Sequence, residues 1–280
     1  MGKGGGRCGQ QSAHLRATLG EAYNSLAAAK LYYHRDWPAA ERYFRRGIEL
    51  NPNFAEIHHH YALCLVLFGR NEEALAEIQR AIELEPLSLR FNLNRARILF
   101  FMRQYDHAVE QFRKTLELDP NYAAAHEWLG YAYEKKGMQR EGITEWGTAL
   151  TLSNESELAA ILERSYATSG FEAAVRALAQ KRLERFKVRT GRGEYVPAVD
   201  YVTAYVRLGD KEQAFAWLVK AVDERNRLVF EMKINPQWDP LRGDPRFEKI
   251  VAARSGSRDR NGAASSDSFE ANDNSAARTL

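Results

Sequence analysis

A spacing of 34 residues constrains this chain more than any other feature. The dipeptides Asn51-Pro52, Glu85-Pro86 and Asp119-Pro120 stand 34 residues apart, and each follows a triplet of an apolar residue, Glu and Leu. A fixed period between about 20 and 50 residues is typical of chains built from one repeated supersecondary unit. Such a unit cannot bury its apolar face alone, so the spacing predicts units stacked on one another.

Small and large side chains recur at fixed positions within these units. If the units start at residues 21, 55, 89 and 123, positions 8 and 20 are always Ala or Gly, and positions 11 and 24 are always large. In order, these residues are Ala28, Leu31, Ala40 and Phe44; Ala62, Leu65, Ala74 and Ile78; Ala96, Leu99, Ala108 and Phe112; and Gly130, Tyr133, Gly142 and Trp146. Small residues let helix axes approach to about 8–10 Å. The pattern therefore predicts a pair of antiparallel helices in each unit.

This register resembles that of the tetratricopeptide repeat family. The best match is the fourth unit, which reads Trp128-Leu129-Gly130-Tyr131-Ala132-Tyr133. Three departures stand out, because Asn154 replaces the closing proline and Arg35 and Arg103 replace the turn glycine. The resemblance implies an all-α fold, an α-solenoid of stacked antiparallel helix hairpins forming a superhelix of about 12–14 helices.

The predicted organisation is a single solenoid over residues 17–254. It has repeats at 21–54, 55–88, 89–122 and 123–156, a degenerate pair at 157–194, a clearer unit at 195–228 and a C-terminal cap at 229–254. The degenerate pair is broken at Ser169-Gly170, and Asp244-Pro245 starts the last helix. Residues 1–16 are rich in Gly and residues 255–280 are almost without apolar residues, so both segments are predicted to be disordered.

Composition excludes several classes of protein. The net charge of +3 over 280 residues is slight and by itself says nothing about nucleic acid. The basic stretch at 176–192 could grip phosphates, but such a stretch is more often a solvated helix face, so nucleic acid is not the expected partner. No apolar run approaches the about 18 residues that cross a bilayer, and no secretory signal follows the first residues, so we expect a cytoplasmic chain outside the membrane. Cys8 and Cys64 are not predicted to form a disulfide.

No motif indicates a catalytic residue, a metal or a cofactor. His126-Glu127 begins like a zinc-protease helix, but Gly130 stands where the second histidine is required. His60 and Cys64 share a helix face, yet the next unit offers only Asn94 as a third group. We therefore predict a protein that is not an enzyme.

By resemblance to tetratricopeptide domains, several positions of each first helix face a concave groove. The candidate peptide-binding residues are His59, Leu63, Arg90, Asn94, Arg97, Phe101, Trp128 and Tyr131. Aromatic and arginine side chains are enriched at binding hot spots, which favours a protein or peptide partner with apolar anchors and some acidic character. The alternative is that several of these residues only pack between neighbouring helices.

One known use of this groove can be tested from the sequence. Tetratricopeptide domains that hold the C-terminal carboxylate of heat-shock chaperones carry Lys, Asn and Arg at five defined positions. The corresponding residues here are Ser25, Ala29, His60, Arg90 and Asn94 from the first unit, and His59, Leu63, Asn94, Ala124 and Trp128 from the second. Neither set makes such a clamp, so binding of a chaperone tail is disfavoured.

A second resemblance covers residues 17–254. The phrases at 36–41, 209–215 and 239–247, the last reading Asp239-Pro240-Leu241-Arg242-Gly243-Asp244-Pro245-Arg246-Phe247, are similar to the C-terminal repeats of bacterial one-component regulators. Those repeats follow a winged-helix, cyclase or serine/threonine kinase domain, so the chain is expected to be a stand-alone relative or a fragment. Two hypotheses remain open: an interaction scaffold that binds a peptide in its groove, and a sensory module controlled by a small molecule or a neighbouring domain.

Overall fold

The computed structural model of the protein describes residues 5–34, 36–224 and 227–255, with side chains described for 14–34, 36–224, 229 and 231–251. Every regular element in these ranges is helical, which confirms the predicted all-α fold. The chain forms two units, Met1–Pro240 and Leu241–Leu280. Among the described helices, none combines the length and the apolar character needed to span a bilayer.

Twelve α-helices occur in the described ranges, or thirteen if α9 is divided at its kink. They are α1 (Gly5–Ala29), α2 (Trp37–Leu50), α3 (Ala55–Leu67), α4 (Asn71–Leu84), α5 (Leu89–Phe101), α6 (Tyr105–Leu118), α7 (Ala123–Lys135), α8 (Gln139–Leu152), α9 (Ser156–Gly191), α10 (Ala198–Leu208), α11 (Lys211–Asp223) and α12 (Pro245–Ser255). A π-helix spans Lys30–His34, and 3-10 helices span Arg227–Lys233 and Pro236–Leu241.

Consecutive helices of the first unit pack as stacked hairpins. α1 packs on α2, α3 on α4, α5 on α6, α7 on α8 and α10 on α11, and the second helix of each of the first three hairpins contacts the first helix of the next. The helices α3, α5 and α7 begin at Ala55, Leu89 and Ala123, where the 34-residue register starts its units. This is the predicted α-solenoid.

Small residues occupy the helix crossings. Ala40, Ala74 and Ala108 are fully buried. At Gly130, an added Cβ would lie 2.5 Å from the indole ring of Trp146, closer than any side chain tolerates. The crossing of α7 and α8 therefore requires the residue without a side chain, because a tryptophan fills the space beside it.

A repeated hydrogen bond joins each unit to the preceding one. His58, Asn92 and His126 occupy the same position in successive units, and their side chains lie 2.9–3.0 Å from the carbonyl oxygens of Pro52, Pro86 and Pro120. Each also bonds a side chain on the second helix of its own unit, which is Glu77, Gln111 or Glu145. A carbonyl that the proline turn leaves without a helical partner is thereby satisfied.

The turns inside the second, third and fourth repeats use a left-handed residue. Gly69 and Gly137 have φ of 74° at this position, and Arg103 adopts φ of 60° at the equivalent site in the third repeat. A residue with a Cβ is disfavoured there. Arg35, the other predicted departure, lies outside the described residues.

The N-terminal prediction was wrong in two respects. Residues 5–16 were expected to be disordered, but α1 begins at Gly5, because residues 10–19 contain no proline and continue the helix that is packed from Gly20 onward. In addition, Ala27 rather than Ala28 is fully buried. Leu31, inside the π-helix, is fully buried at its predicted core position, and the wider turn of a π-helix accommodates an extra residue. Residues 1–4 and 256–280, which complete the segments predicted to be disordered, lie outside the described residues.

The later elements depart from the 34-residue period. The helix α9 is 36 residues long and is interrupted at Gly170, whose φ of 80° and ψ of −175° are not helical, at the predicted break. Its second half packs with α10 around a small separate core of Leu183, Val196, Tyr201 and Ala204. In the second unit, Asp244 accepts a hydrogen bond from the backbone of Arg246 at 2.9 Å at the start of α12.

Candidate binding groove

The first helices of the second, third and fourth repeats carry all eight candidate groove residues, but these residues differ in exposure. His59, Asn94, Arg97, Phe101 and Tyr131 are buried. Leu63 and Trp128 are half-buried, and Arg90 is exposed. A continuous open groove along α3, α5 and α7 is therefore not what the chain presents.

The chain itself covers part of this face. Residues 227–240, called the return segment below, come back to α3 and α5 from the far end of the first unit. Glu231 accepts a hydrogen bond from Arg97 at 2.8 Å, and Asp239 pairs with both terminal nitrogens of Arg103 at 2.7 and 2.8 Å. Val229 and Met232 are buried in the return segment.

Arg103 links the unusual turn to the return segment. At the equivalent position the second and fourth repeats have glycine, which has no side chain to offer. The left-handed arginine places its guanidinium on Asp239, so the departure from the repeat pattern supplies a contact between positions 136 residues apart.

Three of the predicted groove residues are bonded to one another. Arg97 donates to Asn94 Oδ1 at 2.9 Å, so the amide nitrogen of Asn94 faces His59 Nε2, also at 2.9 Å. Since an arginine can only donate, this orientation of the amide is required, and His59 Nε2 must accept. In the neutral ring, the proton therefore sits on Nδ1.

That tautomer bears on a possible metal site. The ligand atoms of Glu56, His59 and His60 lie within 4.8 Å of one another. However, the protonated Nδ1 of His59 cannot coordinate, and Arg90 forms a bidentate ion pair with Glu56. A cation would have to displace one positive charge and break the His59–Asn94–Arg97 chain, so the arrangement disfavours a metal.

Glu56 is held as a carboxylate by this network. Burial raises the pKa of Glu56, but the ring of His59, 3.7 Å away, the hydrogen bonds from Arg90 and the charge of His60 outweigh burial and lower the pKa from 4.5 to about 2. The ion pair with Arg90 also joins the first helices of the second and third repeats.

Beside the return segment the concave face opens into a cavity of about 770 Å³. Its walls come from α5, α7, α8, α9, α10 and the return segment. Aromatic rings form much of its lining, contributed by Trp128, Tyr131, Trp146, Phe186 and Trp238. Of the eight predicted groove residues, Arg97, Trp128 and Tyr131 line this cavity and the other five do not.

Arginines lie over the aromatic rings at one side of the cavity. The guanidinium of Arg97 lies 4.5 Å from the ring centre of Trp128, and that of Arg207 lies 5.4 Å from the centres of both Tyr131 and Trp146. Arg207 also forms a bidentate ion pair with Glu134. Cation–π contacts of this kind help to hold the rings in place.

Sequence reasoning missed the far wall of the cavity. Arg182 and Phe186 on α9 and Asp200 and Arg207 on α10 belong to the part of the chain where the 34-residue period fails, so no register assigned them to the groove. The available signal was the clearer unit at 195–228, whose first helix is α10.

Two stretches of the chain match known repeat families. Residues 26–88 match the family described as Tetratricopeptide repeat, and residues 96–137 match a family described as TPR repeat. Hsp70-Hsp90 organizing protein 2 of Arabidopsis thaliana is 32% identical over 90 residues, which are 32% of this chain and 16% of that protein. Tetratricopeptide repeat protein 13 of Homo sapiens is 32% identical over 105 residues, which are 38% of this chain and 12% of that protein.

A solved structure matches over more of the chain. The type IV pilus biogenesis factor PilW superposes with a TM-score of 0.51 at 16% identity, covering 79% of this chain and 97% of PilW. At that identity the likeness concerns the fold alone. The fold is thus an α-solenoid whose residues 26–88 and 96–137 match repeat-family models. The chain spans less than a fifth of the length of the two curated relatives.

Proposed function

We propose that the chain is a non-enzymatic interaction scaffold that holds a peptide segment of a partner protein in the cavity beside the return segment. The observation that carries this proposal is the cavity itself, about 770 Å³ in volume and lined by aromatic rings on the concave side of a helical repeat array. Concave surfaces of such arrays suit extended ligands. The eight residues first nominated by the repeat register contribute Arg97, Trp128 and Tyr131 to it.

The ligand proposed here is less acidic than the sequence suggested. Arg90 and Arg97 were the cations expected to attract acidic groups, but Glu56 and Glu231 already neutralise them. Arg207 is neutralised by Glu134. The aromatic lining therefore supplies the main attraction, through apolar anchor residues of the partner.

The similarity to Hsp70-Hsp90 organizing protein 2 does not extend to a chaperone-tail site. Of the residues at the five clamp positions counted from the first unit, Arg90 pairs with Glu56, His60 bonds Asn24 at 3.0 Å, and Asn94 bonds His59 and Arg97. A C-terminal carboxylate would find these donors occupied. The proposed partner segment is accordingly an internal peptide.

The proposed compartment is the cytoplasm. Cys64 is a buried free thiol, and burial raises its pKa to about 12, which keeps it protonated and unreactive. A stable buried thiol suits a reducing environment.

A cavity-filling variant tests the proposal. Ala124 lies in α7, is half-buried and lines the cavity, whereas Ala76 is exposed on α4. The purified chain is screened on a peptide array, and the best peptides are measured by fluorescence anisotropy against Ala124→Trp and the matched control Ala76→Trp. We expect at least about a tenfold loss of affinity for Ala124→Trp only, with unchanged helical circular dichroism. Equal binding to both variants, or no peptide above background, contradicts the proposal.

A regulatory module that senses a small molecule is the second candidate. It is favoured by one observation, namely that the cavity volume of about 770 Å³ falls within the range of small-molecule sites, about 300–1,000 Å³. The phrases shared with bacterial one-component regulators fit this alternative. A thermal-shift screen of metabolites against the wild-type chain and Ala124→Trp distinguishes it, since stabilisation of the wild type alone supports a small ligand.

A further inference from the structure

Two charged side chains on the cavity wall have no partner within the described ranges. Arg182 on α9 and Asp200 on α10 both line the cavity, and neither forms a hydrogen bond or an ion pair through its side chain with another described residue. The other arginines of the lining, Arg97 and Arg207, are paired with carboxylates. The cavity thus presents a cation, Arg182, and an anion, Asp200, without a side-chain partner in the described residues. Glu127, also in the lining, accepts a hydrogen bond from Tyr131 at 3.3 Å.

Asp200 is partly buried on the cavity wall. Burial, together with the charges of Glu127 and Glu224, raises the pKa of this carboxyl, and the charges of Arg182 and Arg189 offset the rise only in part. A partly desolvated carboxylate without a hydrogen-bond donor is stabilised by any cation that reaches it. Arg182 offers a guanidinium that matches a carboxylate in two parallel hydrogen bonds.

The two charges stand on different helices of an otherwise aromatic cavity. Trp128, Tyr131 and Trp146 line it from α7 and α8, and Phe186 lies one turn beyond Arg182 on α9. The volume of about 770 Å³ corresponds to roughly 25 water molecules, given about 30 Å³ for each. A ligand that fills it is larger than a single small ion and combines apolar groups with charges of both signs.

We infer that the cavity selects an internal peptide segment in which apolar residues are flanked by one acidic and one basic side chain. Arg182 pairs with the acidic side chain, Asp200 pairs with the basic one, and the apolar residues pack on the aromatic lining. This inference rests on the proposed function and adds the charge pattern of the partner. It also explains why two opposite charges remain apart in a chain that pairs its other cavity arginines.

Acetylated and amidated peptides provide the probe, since they carry no terminal charges. Hexapeptides with two central apolar residues are compared in three forms: flanked by Glu and Lys in either order, with Gln in place of Glu, and with Gln in place of Lys. We expect the fully charged form to bind about tenfold more tightly than either neutralised form.

Matched variants assign each charge to its partner. We expect Arg182→Gln to bind the fully charged peptide no more tightly than the form with Gln in place of Glu, while it still prefers the fully charged peptide to the form with Gln in place of Lys. We expect Asp200→Asn to lose the preference that involves Lys and to keep the one that involves Glu. Circular dichroism and thermal melting verify that both variants fold. Arg185→Gln is the control, because Arg185 lies on the same helix, pairs with Glu157 at 2.6 Å and is not part of the cavity lining.

Failure of this inference is distinguishable from failure of the proposed function. Peptides that bind the wild type, are blocked by Ala124→Trp and show no charge preference overturn the charge pattern and leave the scaffold intact. Free phenylalanine is the second probe, because it carries both charges and an aromatic body. Stabilisation of the wild type by phenylalanine, lost in Arg182→Gln and Asp200→Asn, overturns the peptide assignment in favour of a free amino acid.

Discussion

At the scale of single residues, ion pairs within the chain decide which arginines of the concave face keep an unpaired charge. Arg90, Arg97, Arg103 and Arg207 each pair with a carboxylate of the same chain. An arginine counted as a hot spot from its position alone is therefore not an available cation. Whether an arginine is available depends on its ion-pair partner, and for Arg97 that partner is Glu231, 134 residues away.

Glu56 gives a prediction about acid stability. Its pKa of about 2 in the folded chain lies below the ordinary 4.5, so its contribution to stability is full above pH 4.5 and is lost as the pH falls through the folded value near 2. We expect Glu56→Gln to lower the free energy of unfolding at pH 7 by about 1–2 kcal/mol and to flatten its pH dependence between 4.5 and 2. Urea unfolding at a series of pH values measures both.

Glu83→Gln is the control for that experiment. Glu83 pairs with Arg80 across an exposed helix face at 3.3 Å, so its removal should change stability by less than about 1 kcal/mol and preserve the slope. A Glu56→Gln chain whose stability falls with acid as steeply as the wild type would contradict the assignment.

At the scale of helices and hairpins, close approach at the crossings determines the stack. Ala74 is fully buried where α4 crosses its neighbours, while Ala76, two residues along the same helix, is exposed. The two alanines have the same intrinsic helix propensity, so they separate packing from helix formation.

We expect Ala74→Leu to destabilise the chain by about 1–3 kcal/mol, because three added heavy atoms overpack the crossing. Ala76→Leu should change stability by less than about 0.5 kcal/mol. Thermal melting followed by circular dichroism compares the two. Equal melting temperatures would show that the helix crossing is not where the 34-residue register puts it.

Gly170 gives a second test at this scale. Its φ of 80° and ψ of −175° belong to a region that only glycine adopts readily, and an added Cβ would meet no atom within 4 Å. We expect Gly170→Ala to cost about 1–3 kcal/mol through backbone strain alone, or to straighten α9.

Gly191, at the end of the same helix, has equally open space and no positive φ, so Gly191→Ala should be neutral or slightly stabilising. Urea unfolding of both variants is the measurement. If Gly170→Ala left the free energy of unfolding unchanged, the kink in α9 would not be imposed by this residue.

At the scale of the first unit as a whole, the return segment ties the last repeats to the second and third. The return segment is held by a buried ion pair between Arg97 and Glu231, whose side chains are 11% and 15% exposed. Arg97 Nε and Glu231 Oε2 are both buried without a hydrogen-bond partner in the described structure. A buried pair satisfied by one hydrogen bond is sensitive to loss of either member.

A double-mutant cycle measures the coupling free energy between Arg97 and Glu231. We expect Arg97→Met and Glu231→Leu each to lower the free energy of unfolding by about 2–4 kcal/mol, because each leaves the other charge buried alone. The double variant should lose less than the sum of the two, by at least about 1 kcal/mol. Urea unfolding checks the cycle, and additive losses would show that the pair does not hold the return segment in place.

Much of the fold followed from the sequence because its determinants are local. The starts of α3, α5 and α7, the buried alanines at the crossings and the break near Gly170 each depend on residues within one 34-residue unit or its neighbour. The first repeat was less accurate, since Ala27 rather than Ala28 is the fully buried residue and the π-helix that follows has no obvious signal in the residue pattern.

By itself the sequence determined the helices, their pairing and the face on which a ligand is sought, because helix period and side-chain size act between residues close in the chain. Only the tertiary structure decided which part of that face stays open. The return segment pairs with Arg97 and Arg103, and the cavity is completed by α9, α10 and the return segment itself. The ion pairs of the return segment join residues 134 and 136 positions apart, and the pair of Arg207 with Glu134 joins residues 73 apart, so no short-range pattern records these contacts.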